Sequence, residues 1–269
     1  MLLSLTLALG ALLPGAQLAP TAPVEASFES SWLQDDEKPD KRPEIKALLD
    51  QLKGHTKKKG KEDEEAIATL DKLVTEYPES GPKDQKAIAD AVAKCLKEKR
   101  KKELEPGVPD DRLHMATAVA LGRMAPHSVK ALIGSIDAKG LKDNLNLQRQ
   151  LVLSLGKTKD KKAVKPLMEL LKHHKPGMQS AGAEALGNFS EFPQKERKEI
   201  TIELIKIMMG QKAVVDQNPT DQIERERWDI ISGPIIESLR LVTGHDERDP
   251  DAWQRWWNKN KKADWEKLK

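Results

Sequence analysis

Cysteine is almost missing from this chain of 269 residues, which has a single one, Cys95. One cysteine cannot form an intramolecular disulfide or supply the thiolates of a cysteine-based zinc site. Aromatic residues are also scarce: one tyrosine, three phenylalanines and six tryptophans make up 4% of the chain. A large β-sandwich or barrel needs more aromatic and β-branched residues than this, so the composition disfavours a β-fold.

Excess charge of one sign is missing too. The chain has 46 basic and 43 acidic side chains, and its formal net charge is +3. Nucleic-acid binding requires a clustered basic excess, so the balance indicates no nucleic-acid partner. No GxGxxG, P-loop, HExxH, GxSxG or CxxC pattern occurs. We therefore predict a protein that is not an enzyme, with no catalytic residues, no metal and no cofactor.

Two features could still indicate a chemical site. Cys95 lies on an apolar helical stripe without a neighbouring histidine, which is typical of a small buried side chain rather than a reactive thiol. His173 and His174 are adjacent, so on a helix their side chains point about a quarter-turn apart. With lysines on both sides, we interpret them as a positively charged helix end rather than as metal ligands.

The start of the sequence resembles a secretory signal. Residues 1–13 are uncharged and rich in leucine, and Pro14 ends the apolar run. Residues 24–26 (VEA) fit a cleavage site, which predicts a signal peptide over 1–26 and an exported chain, periplasmic or secreted, without a membrane span in its mature form. A buried N-terminal helix is the alternative. Residues 27–42 are acidic, lack an apolar period and are predicted to be a disordered linker.

From Pro43 onward the apolar residues follow the helical period, and no run alternates with period two, so we predict helices and no strands. Three segments resemble one another: Leu113–Gly122, Leu147–Gly156 and Met178–Gly187. Each places a large apolar residue nine positions before a glycine and a leucine directly before it. A second amphipathic helix follows each glycine. Such helix pairs, recurring at about 31 to 34 residues, bury their apolar faces by stacking.

This pattern resembles HEAT repeats of the short, bilin-lyase-like subtype, over roughly residues 62–244. The resemblance implies an all-α, armadillo-type fold: a right-handed α-solenoid of stacked antiparallel helix pairs, here over residues 43–244. A generic helical bundle is the alternative. The family often has arginine directly after the first large apolar position, where this chain has His114, Gln148 and Gln179. This departure weakens the expected Asp–Arg ladder between repeats.

The C-terminal part contains a tryptophan motif. Asp249 is suited to begin a helix on which Trp253, Trp256 and Trp257 share one face. With the preceding Val-Thr-Gly turn, the motif resembles the ending of exported bacterial HEAT-repeat proteins, in which leucine is usual in place of this valine. We interpret residues 245–269 as a Trp-rich capping helix and basic tail that close the end of the solenoid. A platform for carbohydrate or peptide is the alternative.

The resemblance implies a protein-binding or scaffolding function, and the second helix of each pair then supplies the binding face. Its outward positions form a mixed but mainly basic strip: Lys130, Lys165, Glu169, Lys172, Glu203 and Lys206. We therefore expect a monomer that binds an acidic protein partner, although a merely solvated face is the simpler interpretation. The alternative function is that of a HEAT-like enzyme or nucleic-acid-binding protein, similar to a DNA glycosylase or a lyase.

Overall fold

Helices dominate the computed structural model, which describes residues 38–267 apart from 100–102, 106, 107 and 142. The predicted signal peptide and most of the predicted linker lie outside the described residues. Eleven α-helices are present in the described part of the chain. They are α1 (Pro43–Thr56), α2 (Asp63–Glu76), α3 (Pro82–Cys95), α4 (Arg112–Leu121), α5 (Val129–Ile136), α6 (Leu145–Lys157), α7 (Lys161–Leu170), α8 (Pro176–Leu186), α9 (Gln194–Gln217), α10 (Gln222–Thr243) and α11 (Pro250–Asn260).

One short hairpin departs from the prediction of no strands. Between α3 and α4, β1 (Glu103–Glu105) pairs antiparallel with β2 (Val108–Pro109). Strands of three and two residues are too short to show an alternating pattern, so the sequence does not reveal them. The all-α fold class is otherwise confirmed.

Several helices begin at side chains suited to the task. Asn144 accepts a hydrogen bond from the Leu147 backbone N–H at 3.0 Å and thereby caps α6. Asp249 accepts bonds from Asp251 and Ala252, each at 3.1 Å, as expected for the start of α11. These caps satisfy N–H groups that have no partner inside the helix, and they set where each helix starts.

The helices form two layers that follow the chain in order. The even-numbered helices α2, α4, α6, α8 and α10 pack successively against one another. In the other layer α1 packs on α3, α5 on α7, α7 on α9 and α9 on α11. The apolar faces meet in a continuous core that includes Leu113, Leu147 and Leu155, all buried. This is the predicted HEAT-like α-solenoid.

Glycine allows the even layer to close tightly. Each repeat glycine contacts the next even-numbered helix. In the first two cases the contact is with the residue two positions before the glycine of the next repeat. A methyl carbon built on the glycine would meet the next helix at 3.1 Å (Gly122 to Ser154), 2.7 Å (Gly156 to Ala185) and 3.0 Å (Gly187 to Ser238). Contacts shorter than about 3.4 Å leave little or no room for a side chain, so these positions fix the spacing of the layer.

Helix α10 is a fourth member of this series, which the sequence analysis did not identify. Ser238 occupies the position of Ser154 and donates a hydrogen bond to the Ala183 carbonyl at 2.7 Å. Arg240 stands where the earlier repeats have glycine. It forms ion pairs with Glu237 and Asp246 instead of meeting a further helix. Without the glycine, the sequence signal for this repeat disappears.

The residues that replace the usual arginine form links of their own. All three are buried, and each side chain donates a hydrogen bond to a backbone carbonyl at or just beyond the end of an earlier odd-numbered helix. The pairs are His114 to Glu98 (2.9 Å), Gln148 to Ile136 (2.8 Å) and Gln179 to Leu171 (2.9 Å). These bonds satisfy carbonyls that have no partner at a helix end. Hydrogen bonds from His114, Gln148 and Gln179 to the backbone therefore replace the Asp–Arg ladder expected between repeats.

Candidate functional site

Grooves lie along the odd-numbered layer of the described chain. One of 530 Å³ lies between α1 and α3, one of 550 Å³ lies where the end of α3 approaches α5, and one of 380 Å³ lies between α7 and α9. The glycines of odd-numbered helices, Gly54, Gly134 and Gly210, meet no atom within 4 Å of an added methyl carbon. These glycines therefore make no close contacts of the kind seen in the even layer, where a smaller groove of 230 Å³ lies between α2 and α4.

The groove between α7 and α9 contains most of the predicted binding strip. Its floor has two half-buried apolar side chains, Met168 and Ile202. Charged side chains from both helices surround this floor: Lys165, Glu169, Lys172, Glu199 and Glu203. An apolar floor with a charged rim is the arrangement typical of a surface that contacts another protein.

Ion pairs connect the two helices across the groove. Lys172 lies 3.7 Å from Glu203, and Lys161 lies 2.5 Å from Glu196 near the start of both helices. Glu203 also pairs with Lys206 on its own helix at 2.7 Å. The hydrogen bond from Lys206 holds the pKa of Glu203 below its usual value, with a further contribution from Lys172. Glu203 is therefore ionised throughout the neutral range.

The structure separates the predicted strip. Lys165, Glu169, Lys172 and Glu203 come together in the groove, and Lys206 lies one turn further along α9, paired with Glu203. Lys130 is exposed on α5 and does not line this groove.

Glu196 and Glu199, which were not predicted as site residues, extend the row that contains Glu203 along α9. Their spacing of three and seven residues is a helical signal that could have identified the row. With these residues included, the α9 side of the groove is acidic and the α7 side is mainly basic.

The three predicted tryptophans of α11 pack together with a fourth, Trp265, which lies beyond the end of that helix and was not predicted to take part. The Trp253 ring is buried and lies 5.7 Å from Trp256, whose ring lies 5.4 Å from Trp265. Trp257 lies 6.3 Å from the same Trp265 ring, and His245 stacks on Trp256 at 5.1 Å. Rings that pack so extensively on one another favour the capping role over an open platform.

Side chains of α9 fasten the segment after α11. The backbone N–H of Trp265 donates to the Gln194 side-chain oxygen at 2.9 Å, and Lys198 donates to the Ala263 carbonyl at 2.7 Å. Lys198 and Arg197 also lie over the Trp265 ring, at 5.3 and 5.8 Å from its centre. The described part of the tail is therefore packed structure.

Cys95 and the pair His173 and His174 are the other residues that the sequence offered as a chemical site. Cys95 is buried, as predicted, and its thiol lies 3.8 Å from the Ala91 carbonyl oxygen. The quarter-turn separation predicted for His173 and His174 is wrong: α7 ends at Leu170, and the two rings stack at 4.3 Å. Burial and the neighbouring His174 lower the pKa of His173. Within the described residues, no group of three histidine, cysteine or acidic side chains could hold a metal ion.

Comparison with known families gives one match. Residues 138–202 match the model of a family described as HEAT repeats. The matched segment runs from the end of α5 through α6, α7 and α8 to Ile202 in α9, so it includes nearly the whole groove between α7 and α9. No curated protein matches the chain. Among the described helices, none has the length and apolar content that a membrane crossing requires.

Proposed function

We propose that this protein is an exported scaffold without catalytic activity, and that it binds another protein in the groove between α7 and α9. The observation that carries the proposal is the apolar floor formed by Met168 and Ile202 between two charged helix faces. HEAT repeats are commonly protein-interaction scaffolds, and the match to that family covers this part of the chain. Acidic side chains of the partner would face Lys165 and Lys172 on the α7 side.

The charge around the groove supports a protein partner over a nucleic acid. A nucleic-acid backbone requires a continuous basic surface. Here Glu199 and Glu203 line one side of the groove, and Lys172 is already paired with Glu203. An acidic wall would repel phosphates, whereas a protein surface can present charges of both signs.

The test is a photo-crosslinking amino acid at Met168 of the full-length chain, expressed in its native host. Light should attach a discrete partner protein that mass spectrometry can identify. The same crosslinker at Lys72, exposed on α2 in the even layer, serves as the control. The proposal is wrong if position 168 gives no protein adduct or the same adducts as position 72, or if the purified chain is instead retained on DNA in a salt-sensitive manner.

A further inference from the structure

We infer that the groove between α7 and α9 receives an amphipathic helix with acidic side chains along one edge and basic side chains along the other. This inference rests on the proposed function and specifies the chemistry of the partner. It modifies the prediction of a simply acidic partner. The reason is that the two walls of the groove carry opposite charge.

The α7 wall supplies the positive side. Lys161, Lys165 and Lys172 lie along α7 and the turn after it, with Glu169 as the acidic side chain among them. Lys165 is exposed, and no ion pair is formed by its ammonium group within the described residues. A partner carboxylate placed here would therefore gain a charge partner without first breaking an existing pair.

The α9 wall supplies the negative side. Glu196, Glu199 and Glu203 occur at intervals of three and four residues, so their carboxylates line one face of the helix. Glu199 lines the groove, is exposed and has no ion-pair partner within the same described part. A basic side chain on the second edge of the partner would meet this wall.

The apolar floor of the groove determines that the partner helix has apolar side chains between its two charged edges. Met168 and Ile202 lie between the walls and are half-buried, so an apolar side chain placed on them would remove apolar surface from water. The charged positions of both walls repeat with the helical spacing. A helix laid along the groove presents its own side chains at that same rise per residue, as in other helix-in-groove interactions.

The groove between α1 and α3 gives an internal comparison. Its α1 side carries Asp50, Lys53 and Lys57, and its α3 side carries Asp90, Lys94 and Glu98, so both signs occur on each wall. The α7 wall is mixed in the same way, but the charged side chains that line the groove from α9 are all acidic. A wall with acidic charges alone is thus what distinguishes the α7–α9 groove from the α1–α3 groove.

Three synthetic helical peptides of equal length and identical apolar stripe test the inference. The first has one acidic and one basic edge, the second has two acidic edges, and the third has two basic edges. Fluorescence anisotropy with the full-length chain should give the first peptide a Kd about tenfold below the other two, because like charges placed together oppose binding. The difference should shrink as salt is added.

Charge reversal of one wall at a time should change the preference in opposite directions. The variant Lys165→Glu/Lys172→Glu should prefer the peptide with two basic edges, and Glu199→Lys/Glu203→Lys should prefer the one with two acidic edges. The matched control Lys53→Glu/Lys94→Glu changes the α1–α3 groove and should keep the original order. Circular dichroism checks that every variant retains its helices.

The inference is overturned if no peptide binds, if the first peptide is not preferred, or if both reversals leave the order unchanged. These results are distinguishable from failure of the proposed function. Loss of the crosslink at Met168 refutes the binding site itself. A retained crosslink with no peptide preference refutes only the two-edged partner.

Discussion

Gly156 and Ala185 approach so closely that a methyl carbon on Gly156 would lie 2.7 Å from the Ala185 carbonyl oxygen. Backbone atoms of a packed helix cannot move aside cheaply. The substitution Gly156→Ala should therefore separate α6 from α8 and lower the free energy of unfolding by about 1–3 kcal/mol. Urea denaturation followed by circular dichroism measures the change.

The control for this substitution is Gly210→Ala. Gly210 lies inside α9, and an added methyl carbon there meets nothing within 4 Å. Alanine stabilises a helix interior relative to glycine by about 0.5–1 kcal/mol. A loss of stability at both positions would show that close packing is not what distinguishes Gly156.

Leu155 tests the shared core between repeats. Its side chain is fully buried beside the glycine contact of α6. Leu155→Ala should cost roughly 2–5 kcal/mol of unfolding free energy, because the cavity refills only in part. The far-ultraviolet spectrum should remain helical, and a cost near zero would contradict the stacked core.

Acid should destabilise the protein through carboxylates that accept hydrogen bonds from lysine side chains. Lysine partners hold the pKa values of Glu191, Glu196 and Glu203 below the usual 4.5. A carboxyl group with a lower pKa in the folded chain stabilises it above that usual value, and the contribution is lost as pH falls through the folded pKa. The Tm should drop below about pH 4.5, and Glu203→Gln should make that drop smaller. An unchanged pH profile in this variant would refute the assignment.

Trp256 distinguishes a cap from a binding platform. Its ring contacts His245, Trp253 and Trp265. Trp256→Ala should lower stability by roughly 1–3 kcal/mol through lost aromatic contacts and a cavity. Crosslinking at Met168 should be unaffected. Lost binding with unchanged stability would instead favour the platform.

Export is testable at the N-terminus of the native protein. Cleavage after residue 26 predicts a first residue near Ser27. Edman sequencing or mass spectrometry of the protein from an extracytoplasmic fraction should find that start. An intact Met1 in a cytoplasmic fraction would refute the signal peptide.

Periodicity was sufficient to predict the helices and their stacking, because burial of one face requires apolar residues at the helical spacing. The glycines of α4, α6 and α8 made three repeats visible. The fourth repeat, α10, was missed because Arg240 replaces the glycine. Trp265 was missed because its role depends on Gln194 and Lys198, which lie about 70 residues earlier in the chain.

The groove was only half predictable from the sequence. Lys165 and Lys172 on the α7 side were predicted as outward positions, since one amphipathic helix reveals its own outward face. The acidic wall depends on which side of α9 turns toward α7. That rotation follows from packing against α10 and α11, although the spacing of Glu196, Glu199 and Glu203 already places them on one face of the helix.

Arg240 has a consequence for assembly. Repeats that stack in one direction can continue from one molecule to the next and form filaments whenever the last repeat can receive the first. In the described chain, α10 is the final even-numbered helix, and at the position of close approach it presents a guanidinium group paired with Glu237 and Asp246. Another copy could dock there only by desolvating this charged group. The same substitution that ends the glycine series therefore makes this end of the even layer a poor surface for the stacking of a further repeat.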